Sequence, residues 1–272
     1  MIIAVATMLF TACDTIPENE YCIFAGAVLN WEQGESFEAE QNAYVEKYTG
    51  PKCPNCPSAD VTLDGAHQQY GERLVLISVN HFEGQGENFN GYPDMRTEDG
   101  TTWDKYYGIN AIPAAYINRR TATQYSGTMS NITADIGTAL AETPKIGLRV
   151  SASDEDRDGR VDIEVDLCFA ENVARPLALT LALTEDSLVY KQSMPDGTRQ
   201  EDYVHNHMLR DVITDVWGAD VNATGAAGES LKATVRFTVA EDFKIENCNI
   251  VALVSDKETR EVLNSAQTRI AR

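Results

Sequence analysis

Basic residues are scarce in this chain. Across 272 residues, 22 Lys and Arg stand against 42 Asp and Glu, a formal net charge of −20. A field of that sign draws in neither the phosphates of nucleic acid nor an anionic membrane surface, so both are excluded as electrostatic partners. Histidine is rarer still, at four residues, and there are six cysteines, of which two are spaced Cys-x-x-Cys. No second such pair and no His pair lies at zinc-finger distance. No apolar stretch approaches the ~20 residues that a bilayer-spanning helix needs. Internal repeats and low-complexity tracts are absent too.

What is present begins at the N-terminus. Met1–Ala12 is apolar and uncharged, lacks even the usual basic flank, and runs into Phe10-Thr11-Ala12-Cys13. That pattern predicts a signal peptide over residues 1–12 and a lipobox, with Cys13 as the lipidated residue that ties the chain to a membrane. Residues 13–42 are then the lipidated N-terminus and tether, and the mature chain lies outside the cytoplasm, where cysteines can oxidise.

The remaining length suits two domains, and the hydrophobic pattern changes near Pro144. Residues 43–144 alternate strand and helix: Ala43–Tyr48 and Leu74–Val79 as strands, Pro57–Tyr70 as a helix, a polar loop over 82–100, a short helix at Thr101–Tyr107, a hairpin from Ala114–Asn118 and Thr123–Tyr125, and a closing helix at Asn131–Ala141. This order predicts an α/β domain. From residue 145 to 272 the period becomes two: Val161, Ile163, Val165 and Leu167 alternate with Asp162, Glu164 and Asp166. About seven such strands predict an all-β antiparallel sandwich, with Tyr203–Trp217 inserted as a helix or structured loop.

Chemistry concentrates at Cys53-Pro54-Asn55-Cys56-Pro57, which follows a strand and opens a helix. Two residues between the cysteines let the sulfurs meet, and the helix N-terminus stabilises a thiolate at Cys53. Cys53 is then the exposed attacking sulfur and Cys56 the resolving one. Half a zinc site has the same spacing. The later Gly108-Ile109-Asn110-Ala111-Ile112-Pro113, directly before a strand, resembles the thioredoxin superfamily, and the resemblance implies a cis Ile112–Pro113 bond facing the dithiol, with Pro113 shaping the substrate groove.

More narrowly, the chain resembles the Omp28-related outer-membrane lipoproteins of Bacteroidetes. The segments that carry this are Glu46-Lys47-Tyr48-Thr49-Gly50 leading into the dithiol, Ile112-Pro113-Ala114-Ala115-Tyr116-Ile117-Asn118-Arg119, and Tyr203-Val204-His205-Asn206-His207-Met208-Leu209-Arg210 before Trp217-Gly218. The resemblance implies a thioredoxin-like domain followed by an Ig-like sandwich in an envelope lipoprotein, and no settled activity. Two functions fit: a scaffold for surface binding, adhesion or assembly with an unidentified protein partner, or a thiol–disulfide oxidoreductase. The first is supported by what surrounds the dithiol. Lys52 precedes it, and Lys47 stands where an acid usually assists the resolving cysteine. Glu46 is one residue away, on the other face of its strand.

Weaker signals remain. His205 and His207 share a face if extended, which suits either a metal or packing, and His81 ends the Leu74–Val79 strand on the edge where α/β sites lie. Cys168 and Cys248 occupy strands that pair by disulfide in Ig-like sandwiches, yet Cys168 is in phase with Asp162, Glu164 and Asp166 on the wet face; only a bulge reconciles the two, and the pairing stays open. Cys22 has no evident partner. Finally, Asp154, Asp156 and Asp158, then Gly159, Arg160 (by its carbonyl) and Asp162, match the first half of a calcium loop, with Val165 where a bidentate glutamate belongs. Bound Ca2+ and a solvated acidic hairpin both fit.

Overall fold

The computed structural model describes residues 29–81, 91–127 and 129–272. The expected signal peptide, the lipidation residue Cys13, most of the tether, Cys22 and residues 82–90 of the expected loop lie outside the described residues.

Strand β1 (Asn30–Gln33) precedes β2 (Ala43–Thr49), which leads through the Cys-x-x-Cys turn into α1 (Cys56–Tyr70). Pro57 sits in the first turn of that helix, where its missing N–H costs nothing. Next come β3 (Leu74–Asn80), α2 (Glu98–Tyr107), the hairpin β4 (Ala114–Ile117) with β5 (Gln124–Ser126), and α3 (Ile132–Leu140). Capping sets the limits of α2: the Thr97 hydroxyl accepts from the Gly100 amide, Glu98 and Asp99 occupy the first turn, and Gly108 at φ 60° closes the end in the left-handed region. From β2 to α3 this is the strand and helix order that the sequence predicts; β1 is a correction, because Asn30–Gln33, expected as tether, pairs antiparallel with β13 (Ser230–Thr238).

The second half is almost wholly strand: β6 (Ile146–Ser153), β7 (Arg160–Phe169), β8 (Leu177–Glu185), β9 (Leu188–Ser193), β10 (Arg199–His205), β11 (Met208–Val212), β12 (Ala219–Asp220), β13 (Ser230–Thr238), β14 (Cys248–Asp256) and β15 (Val262–Arg269). Tyr203–Trp217, expected as a helix or inserted loop, instead contributes the end of β10 and the whole of β11. Its polar residues concealed the strand signal because β11 is short and bulged, with the register shifting between Leu209 and Asp211.

The two halves share one sheet. Its order is β15-β14-β8-β11-β3-β2-β4-β5, with β12 also on β8. The join is a single parallel pair, Met208 opposite Ser78, with the Ser78 amide donating to the His207 carbonyl at 2.7 Å. The boundary expected at Pro144 falls between α3 and β6, while the sheet continues across it. A second sheet, β1-β13-β7-β6, stacks on β8 and β14, and the core between them is built from Val161, Ile163, Val165 and Leu167 against Leu179, Leu181, Ile250 and Ala252. The alternation read along β7 is observed: its apolar residues point inward, and Asp162 and Glu164 pair outward with Arg236 and Lys232 on β13.

Around β2 and β3 the shared sheet has helices on both sides. Ala43, Val45, Leu74 and Leu76 meet α1 and α3 on one face, and Tyr44, Tyr48, Val75, Ile77 and Val79 meet Trp103 of α2 on the other. Full burial of both faces explains the unbroken apolar run of β3.

Cys168 and Cys248 are both free and buried. Cys248 belongs to the core between the sheets, whereas Cys168 keeps the outward parity of the acidic face. It is buried because the segment joining β1 to β2 crosses there: Phe37 packs on Gly147, which lies directly opposite Cys168 in the ladder. No bulge turns Cys168 inward, so the two sulfurs occupy opposite sides of β7.

Candidate functional site

The Cys-x-x-Cys turn sits at the end of β2, where the chain leaves the sheet for α1. Cys53 and Cys56 are disulfide-bonded, with their Cα atoms 5.5 Å apart. The Cys56 amide, the first of the helix, donates to Cys53 Sγ at 3.1 Å. A donor so placed favours negative charge on that sulfur when the bond is reduced. Beside it, the Ile112–Pro113 peptide bond is cis, and the Ile112 carbonyl oxygen lies 3.6 Å from Cys53 Sγ. The structure therefore brings Cys53, Cys56 and the Pro113 loop together.

One expectation changes. Cys53 is only 8% exposed, against 1% for Cys56, rather than the open sulfur that the motif predicts. Beside Ile112 and Cys56, which flank the sulfur, the backbone of the turn is covered from the second half of the chain, where β9 and β10 form a separate two-stranded hairpin. From it, Gln192 Nε2 donates to the Cys53 carbonyl at 2.8 Å and, more weakly, to the Gly50 carbonyl at 3.5 Å. The Ser193 amide donates to the Pro51 carbonyl at 2.9 Å. Gln192 lies 139 residues from Cys53, and no local sequence signal links them.

Lys47 and Glu46 lie on opposite faces of β2, as their parity requires. Lys47 sits on the α1 face and pairs with Asp60, whose other oxygen accepts the Tyr203 hydroxyl at 2.7 Å. Burial pushes the Asp60 carboxyl up, but Lys47 and the hydrogen bonds from Lys47 and Tyr203 outweigh it and hold the group below the usual carboxylate range. Asp60 lies four residues past Cys56, on the same side of α1. That spacing was the available sequence signal for Asp60. Tyr203 carried none for this contact.

His205 and His207 do not assemble a ligand set. The His205 ring lies against Tyr203, while His207 lies beyond the end of β10, beside His67 and Asp186. Burial depresses both imidazoles to about 4, so they are neutral at pH 7. His81 Nδ1 stands 2.6 Å from the buried Asp104 carboxylate, a tie between β3 and α2.

The acidic turn after β6 spends its carboxylates internally. Buried Asp154 accepts from the Asp158 and Gly159 amides at 3.0 and 3.2 Å and from Arg272 at 3.1 Å. Asp158 holds the Arg160 guanidinium at 2.6 Å, Asp162 takes Arg236 in a two-pronged pair, and Asp156 faces solvent. Arginines and backbone amides are thus the positive partners of Asp154, Asp158 and Asp162. Among the described residues no three His, Cys, Asp or Glu side chains converge as metal ligands, and no helix is long and apolar enough to cross a membrane.

The family model described as outer membrane protein Omp28 matches residues 100–272. Among solved structures, the chain is similar to HBP35 of Porphyromonas gingivalis, at 17% identity and a TM-score of 0.69, over 86% of this chain and 77% of that one. A protein of Agrobacterium tumefaciens matches at 16% identity and a TM-score of 0.56, over 87% of this chain and 97% of that one. A domain of the outer membrane lipoprotein Omp28 from Porphyromonas gingivalis aligns at 22% identity and a TM-score of 0.34, over 48% and 91%. No curated protein matches the chain.

Proposed function

The chain belongs to the Omp28 family of outer membrane proteins and with it to the cell envelope, and we propose that it works there as a lipid-anchored thiol–disulfide exchange protein. Its first half is thioredoxin-like and its second an Ig-like sandwich that supports and covers the dithiol. The observation that carries this reading is the Cys56 amide aimed at Cys53 Sγ beside the cis Ile112–Pro113 bond. That arrangement serves exchange: it stabilises the Cys53 thiolate as nucleophile or leaving group, while Cys56 resolves the mixed disulfide. A zinc site needs two further ligands, and none converges on Cys53 and Cys56 among the described residues.

Equilibration with glutathione buffers, with Cys53→Ser as control, tests the chemistry. A potential in the span of known exchange proteins supports it, and one below about −300 mV marks a structural bridge and sinks it. The burial of Cys53 favours the second reading, a scaffold for surface binding, adhesion or assembly, and the same titration separates the two. Anchoring at Cys13 is supported by the lipobox pattern. Metabolic labelling with a fatty-acid analogue is expected to mark the protein and to be lost in Cys13→Ala.

A further inference from the structure

The β9–β10 hairpin is built differently from every other strand pair of the second half. Among the described residues it hydrogen-bonds to no other strand, and a two-stranded ribbon is marginal on its own. Around the dithiol it is held by Gln192 to the Cys53 and Gly50 carbonyls, Ser193 to the Pro51 carbonyl, Tyr203 to Asp60, and Ser193 Oγ with Tyr92 at 2.9 Å; elsewhere Leu188 packs with Met95 and Met208, and Lys191 and Arg199 lie over the Tyr92 ring. The seam is not fully satisfied. On its inner face His205 is buried, with Nε2 lacking a partner among the described residues. Both ends of the hairpin leave the sheet through residues at positive φ, Ser187 at 59° and His207 at 58°. Those ends are stapled to each other, the Ser187 amide to Asn206 Oδ1 at 2.9 Å and the His207 amide to Asp186 Oδ1 at 2.7 Å. A ribbon clamped at its base and lightly pinned at its far end is arranged to turn as one piece about that base.

We infer that the β9–β10 hairpin is a gate, latched by Gln192, that selects the reactants of the Cys53–Cys56 disulfide by size. The inference rests on the exchange reading above. In the latched form, the 8% exposure of Cys53 admits a small thiol but not a polypeptide chain, whose backbone must lie along the loop carbonyls that Gln192 and Ser193 occupy. A polypeptide dithiol reacts only when the hairpin lifts. Its first thiolate attacks Cys53 Sγ, the Cys53–Cys56 bond breaks, and Cys56 leaves as a thiolate that takes a proton from solvent. The second substrate thiolate then attacks the substrate sulfur of the mixed disulfide and expels the Cys53 thiolate. The substrate leaves as a disulfide, and its two electrons rest on Cys53 and Cys56.

The test uses the full chain in its oxidised form, reduced in a single turnover by dithiothreitol or by a reduced synthetic peptide carrying a cysteine pair. Gln192→Ala is expected to speed the peptide reaction about tenfold, the effect of one net hydrogen bond of about 1.4 kcal/mol, and to leave the dithiothreitol rate nearly unchanged. Faster amide exchange in β9 and β10 of the variant is expected alongside. Equal acceleration with both reagents, or none with the peptide, overturns the gate. If Gln192→Ala does not fold, Tyr203→Phe removes the Asp60 hydrogen bond and is read the same way. The glutathione titration reports on the dithiol independently of this ratio, so the exchange reading and the gate fail separately.

Discussion

Lys47 and Glu46 are adjacent in sequence, yet each heads a separate buried charge cluster. Glu46 accepts from the Tyr44 hydroxyl at 2.7 Å and from Arg119 Nε at 2.8 Å, and the Arg119 guanidinium lies 4.3 Å from the centroid of the Trp103 ring. Lys47 has only Asp60 as a charged partner in that ion pair. Removing one member of such a pair strands the other charge in a poor solvent. Asp60→Asn is therefore expected to cost about 3–5 kcal/mol in urea unfolding, and Lys47→Met combined with it to recover much of the loss. A double cost equal to the sum of the costs of Asp60→Asn and Lys47→Met taken singly would show that the pair carries no coupling. Asp99 offers the opposite case. Burial, then the Asp211 carboxylate, raises its pKa to about 6, so the folded protein holds a proton more tightly than the unfolded chain, and stability is lost as pH rises from about 4 to 6. Asp99→Asn is expected to stabilise the protein at pH 7 by about 1 kcal/mol after solvent screening, and to do nothing near pH 4. Thermal melts at the two pH values decide it.

At the scale of elements, the pH response of the hairpin seam runs the other way. His205 and His207 have folded pKa values of about 4, below the ~6.5 of an unfolded histidine. Between those values the unfolded chain takes up protons that the folded one refuses, so stability is full above pH ~6.5 and falls as pH drops toward 4. His205→Gln is expected to flatten that fall, measured as the slope of unfolding free energy against pH. An unchanged slope would remove His205 from the account. The same elements show what the residues made legible. The strands from β2 to β5 and most of those of the second half could be read, because burial on two faces or one writes a continuous or alternating pattern into each; β1, four largely exposed residues assigned to the tether, could not. The cis bond at Pro113 was implied by the resemblance to the thioredoxin superfamily, and the dithiol and its helix start were legible because turn and redox chemistry are local. β11 was not, since a five-residue bulged strand leaves too little period to detect. Nor was the cover on Cys53, because Gln192 reaches it through a tertiary contact. The acidic turn has the spacing of the first half of a calcium loop, and its aspartates also meet arginines: Arg160 from the turn itself, Arg236 from β13 and Arg272 from the C-terminus.

At the scale of the whole molecule, the shared sheet is continuous between the two halves through the pair of Met208 with Ser78, and neither the composition shift near Pro144 nor the local pattern showed it. β11 covers the open flank of β3 and sends Leu209 and Val212 into the same cluster as Ile77 and Trp103. A fragment ending at residue 144 keeps every residue of the dithiol but loses that strand, and it is expected to aggregate or to melt well below the full chain. A soluble fragment with a cooperative transition matching the full chain would show that the first half stands alone. The late arrival of β11 also has a meaning for biogenesis. A protein of the envelope is threaded outward from its N-terminus, so Cys53 and Cys56 emerge while β11 and the Gln192 latch are still unexported. Until they follow, the nascent first half offers a bare strand flank and an uncovered pair of thiols. For that interval, oxidising catalysts of the compartment meet a dithiol far more open than the one in the finished protein.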